Sequence, residues 1–153
     1  MADPTALIVR DYEVATNRYE FLITNAEPLV VGGLAGFDTN AGTVEFPDPT
    51  NVDIVPCGIV EGSYDGDNAN LTGDGVNNKA ICAAGLTLRN VNVTNVAAAS
   101  NIGDLVYATD GQIMALTQFG AEMPIGHVIK WYSGTECDVY LFTFAEAILH
   151  KNS

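Results

Sequence analysis

Basic side chains are scarce in this sequence: 6 Lys and Arg stand against 19 Asp and Glu in 153 residues, a net charge of −13. Each phosphate contact needs a cation to neutralise it, so such a surface does not grip nucleic acid or an anionic bilayer. Charge of either sign is thin as well, at 16%, where an average soluble domain carries about 25%. The shortage of Lys and Glu speaks against a helical bundle, whose solvent faces are built from them. No run of 18 apolar residues is present, so no helical membrane span is encoded. Met1-Ala2-Asp3-Pro4 has neither the basic nor the apolar region of a secretory leader, and synthesis in a cytoplasm is expected. Cysteine is limited to Cys57, Cys82 and Cys137, with no C-x-x-C spacing. Buried reduced thiols are expected rather than zinc ligands, and the sequons at Asn70 and Asn92 are read as chance matches.

Hydrophobic residues are plentiful, at 48%, and they come in short runs. From residue 28 onward those runs are punctuated by glycine and turn residues: Leu29–Val31, Thr43–Phe46, Asp53–Val55, Gly58–Val60, Lys79–Cys82, Leu86–Val93, Leu105–Tyr107, Gln112–Leu116, Ile125–Trp131 and Cys137–Phe142. This spacing predicts an all-β domain, a compact barrel or sandwich of short strands, with a single short helix at Phe144–Leu149. Leu86–Val93 alternates apolar and polar with period two, and the alternation changes phase at Asn90, which predicts a bulge. Residues 1–27 contain no glycine and hold Arg10, Arg18, Tyr12, Tyr19 and Phe21. Leu7–Val9 and Tyr19–Ile23 read as short strands, forming either a first hairpin or an arm on a neighbouring chain. The domain proper is then 28–153.

The sequence also echoes itself. Leu34-Ala-Gly-Phe-Asp38 leads through a turn to Val55-Pro-Cys-Gly-Ile-Val60, and Leu105-Val-Tyr-Ala-Thr-Asp110 leads through a turn to Met123-Pro-Ile-Gly-His-Val128. Both copies run strand, turn, strand, loop and Pro-x-Gly-x-Val. A strand that opens on proline needs no ladder donor there, and its glycine marks a kink. Between the copies lies the loop 61–79, in which 11 of 19 residues are Gly, Asn or Asp. A loop this long is usually functional or mobile, and Asp65, Asp67, Asn70 and Asp74 are expected at the surface. Counting from Asp65, an EF-hand would need glycine at 70 and glutamate at 76, where Asn70 and Val76 stand, so that calcium motif fails.

No catalytic signature is present. Gly-x-Ser-x-Gly, His-x-Glu and His-x-x-x-His are all missing, and Gly32-Gly33-Leu-Ala-Gly36 lies between strands rather than at the helix start a phosphate site requires. His127 reads as a strand-face imidazole, and Trp131 reads as a core residue of the last hairpin. A non-enzymatic protein without a metal or other cofactor is expected.

Two stretches carry a family resemblance: Leu29-Val-Val-Gly-Gly-Leu-Ala-Gly36, and Gly103-Asp-Leu-Val-Tyr107 followed by Met123-Pro-Ile-Gly-His-Val-Ile-Lys-Trp131. Over residues 28–142 in outline, the chain resembles the bacteriophage head decoration, or capsid cement, proteins. That resemblance implies a virion protein made in the host cytoplasm and added to the outer capsid surface, where it contacts the major capsid protein, commonly as a homotrimer. It implies no nucleic acid or membrane partner. Leu7, Ile8, Val9, Arg10, Tyr12, Arg18, Tyr19 and Phe21 are the candidate contacts with the shell or with a neighbouring copy. The alternative is a head-fibre or tail-associated module that binds the host surface through loop 61–79.

Overall fold

The computed structural model describes Asp3 and residues 11–12, 17–64, 66 and 71–151. Strands come first in number. They are β1 (Asp11–Tyr12), β2 (Asn17–Leu22), β3 (Leu34–Asp38), β4 (Thr43–Glu45), β5 (Ile54–Ser63) and β6 (Lys79–Ala84). Then follow β7 (Leu86–Asn92), β8 (Leu105–Ala108), β9 (Met114–Ala115), β10 (Pro124–Ser133), β11 (Glu136–Leu141) and the helix α1 (Phe144–Lys151). One antiparallel sheet has the order β2-β6-β5-β3-β4, and the other β1-β7-β11-β10-β8-β9. The fold is all-β with a short C-terminal helix.

Apart from β1, the two sheets are one topology used twice. Five consecutive strands take the same spatial order in each, with β2 to β6 matching β7 to β11. The register repeats too. Gly36 pairs with Pro56 and Leu34 with Ile59, while Tyr107 pairs with Pro124 and Leu105 with His127, and a shift intervenes at the same place in both. A second shift recurs between Val60 and Gly62 and between Val128 and Lys130. Each unit curls until its ends meet in a parallel bridge, Ile23 with Val44 and Thr94 with Ala115. The Thr24 amide donates to Val44 O at 3.0 Å, and the Thr94 amide to Met114 O at 2.9 Å. The echo in the sequence is therefore a structural duplication.

Each unit fills its own interior from matching positions. Ile23, Ala35, Val44, Cys57, Val60, Ala80 and Cys82 share one core. By register they correspond to Val93, Val106, Met114, Ile125, Val128, Cys137 and Val139 of the other. The three cysteines are free and buried, as expected of apolar thiols. Burial pushes the Cys57 thiol well up, helped by its hydrogen bond with Cys82, and burial raises Cys137 to about 11. The units are joined because Leu34, Ile59 and Ala83, a row across β3, β5 and β6, pack into the second core. The Leu34 amide donates to Gly111 O at 2.8 Å and the Ala121 amide to Pro49 O at 2.7 Å across this seam.

Glycine explains the repeated Pro-x-Gly-x-Val. A Cβ on Gly58 would meet the carbonyl oxygen of Ala83, and one on Gly126 would meet that of Tyr140. The neighbouring strand passes too close for any side chain, and Gly58 also sits at φ +88°. α1 begins with a reciprocal capping box. Thr143 N–H donates to Glu146 Oε1 at 3.0 Å, and Glu146 N–H donates to Thr143 Oγ1 at 3.1 Å.

Several expectations change. Leu29–Val31 is not a strand; the Leu29 amide donates to Leu71 O at 3.0 Å, and Gly32 turns the chain at φ +88°. Asp53–Val55 and Gly58–Val60 lie in one region where β5 runs unbroken from Ile54 to Ser63, its bulge having mimicked a gap. Gln112–Leu116 contributes only Met114 and Ala115 to a strand, because Asp110 turns the chain at Gln112 and Ile113. The bulge in β7 is present, with Asn90 at φ 51° and a register shift against Cys137 and Val139.

Candidate functional site

Leu7, Ile8, Val9 and Arg10 lie outside the described residues. Tyr12 is in β1, opposite Leu88 of β7. Arg18, Tyr19 and Phe21 are in β2, which pairs along its whole length with β6. β1 and β2 join different sheets, and Leu7–Val9, the other strand of the expected hairpin, lies outside the described residues. Alternation divides β2 by face. Tyr19 and Phe21 turn inward and are half-buried, while Arg18 and Glu20 are exposed. Phe21 lies 4.7 Å from the ring of Phe37 and 5.7 Å from that of Phe144, and Tyr19 lies 5.7 Å from Phe144. These two rings hold α1 on the sheet. Arg18 Nε is 2.7 Å from Glu61 Oε1, and Lys79 Nζ is 3.2 Å from Glu20 Oε1.

What β2 offers outward is its edge. It is the terminal strand of its sheet, and among the described residues no strand pairs with its outer side. The matching edge in the second unit is that of β7, where Leu88 corresponds to Tyr19. There β1 has added itself, Tyr12 opposite Leu88 and Asp11 opposite Arg89.

Of the loop residues, Asp65, Asp67 and Asn70 lie outside the described residues. Asp74 is exposed, and its Oδ1 accepts the amides of Val76, Asn77 and Asn78 at 3.0, 2.8 and 3.0 Å. Those backbone bonds hold its carboxyl down at about 2. The loop is tied down more than its composition implied. Leu71 and Gly73 are buried, the Ala26 amide donates to Gly73 O at 2.8 Å, and the Gly73 amide donates to Glu27 O at 3.0 Å. His127 is partly buried against the rings of Tyr140 and Phe142. Trp131 is half-buried against the second core, and its Nε1 donates to Gly134 O at 3.0 Å.

A site that sequence reasoning missed lies at the seam between the units. A cavity of about 450 Å³ is lined by Asp3, Glu27, Glu45, Phe46, Asp48, Thr109, Asp110 and Phe119, with Pro47, Pro49 and Thr50. Asp110 is only 5% exposed. Its Oδ1 accepts the amides of Gln112 and Ile113, both at 2.8 Å, and its Oδ2 has no hydrogen-bond partner among the described residues. Asp3 Oδ1 accepts the Gly111 amide at 3.1 Å. Burial raises Glu27 to about 7, with further repulsion from Glu45, Asp3 and Asp48. Burial also raises Glu45, against a hydrogen bond from Thr24. Among the described residues no group of three or more His, Cys, Asp or Glu is placed to hold a metal ion. Pro47-Asp-Pro49, which interrupts the strand pattern, is the only local signal in the sequence for this cavity. No protein-family model matches the chain, and no curated protein matches it either.

Proposed function

We propose that the protein is a non-enzymatic virion component that binds the outer surface of a phage capsid and stabilises it, contacting the major capsid protein and acting as a homotrimer. The family resemblance is the source of this reading, and one structural observation supports it: the N-terminal segment supplies the terminal strand of both sheets. A sheet edge recruits a neighbouring backbone by strand addition, and the second unit already displays that use where β1 joins β7. The corresponding stretch of β2 is Tyr19 and Glu20, where among the described residues no strand has been added. Arg18 and Glu20 on that strand discourage indiscriminate edge-to-edge pairing, as charges on edges do. Cement built this way works by repetition, each contact modest and the whole shell gaining from many.

Deletion of residues 1–26 is a poor test, because it removes β2 from a five-stranded sheet. Co-sedimentation of the full chain with mature and immature shells of the cognate capsid protein is the direct one. Saturable binding to mature shells and a trimer in sedimentation velocity are expected. Absence from both shell forms, or binding to host glycans instead, overturns the reading.

A further inference from the structure

We draw no further inference here: the strongest candidate, the acidic cavity at the seam between the two units, is a cluster of carboxylates with no second observation pointing to a ligand, since the unpartnered Asp110 Oδ2 is buried rather than open to it.

Discussion

Glu27 shows at the scale of one residue how the seam trades stability against charge. Its carboxyl is raised from the ordinary range to about 7, first by burial and then by Glu45, Asp3 and Asp48. The folded chain therefore holds this proton more tightly than the unfolded chain does. Its stabilising contribution is complete below pH 4.5 and is lost as pH rises through about 7. Because the group is half exposed, screening keeps the effect to about 1 kcal/mol or less. The melting temperature should fall between pH 5 and 8, and Glu27→Gln should flatten that fall and melt higher at pH 8. A side-chain ¹³C titration giving Glu27 an ordinary carboxylate midpoint would contradict this. None of it is legible in the sequence, where Glu27, Glu45 and Asp110 are three acids among 19.

Single elements were far more readable, because strand chemistry is local. The phase change at Asn90 located the β7 bulge, and the short helix expected at Phe144–Leu149 is α1. The misreadings have local causes too. Leu29–Val31 has β-like composition, but its partner is loop residue Leu71 rather than a strand. The repeated glycines yield the sharpest prediction at this scale. Gly126→Ala drives a methyl into the Tyr140 carbonyl, for an overpacking cost of about 1–3 kcal/mol. Gly58→Ala meets Ala83 and adds a positive φ, so it should cost more, roughly 2–4 kcal/mol. Urea midpoints should rank wild type, Gly126→Ala, Gly58→Ala, and the reverse order would refute this account of the motif. Glu146→Ala removes one half of the capping box and the acceptor of the Tyr140 hydroxyl, a 2.6 Å bond. It should cost about 1 kcal/mol, read as faster amide exchange at the start of α1.

Across the whole molecule, the duplication raises the question of whether two like units fold as two domains. Their seam answers that they do not. Leu34, Ile59 and Ala83 belong by chain to the first unit and by packing to the second core, so the second core is incomplete until the first sheet exists. This sharing also explains why the cavity was invisible from sequence: its walls come from both copies and exist only once these meet. The probes are built in. Trp131, the only tryptophan, reports on the second unit, and Cys57 and Cys82 lie in the first core. In a Cys137→Ser variant, tryptophan fluorescence and thiol labelling should report the same urea midpoint, as one cooperative transition demands. Ile59→Ala should lower both midpoints together, for a stability loss of about 2–5 kcal/mol. Separate midpoints, or a loss confined to the thiol probe, would mean that the units are independent.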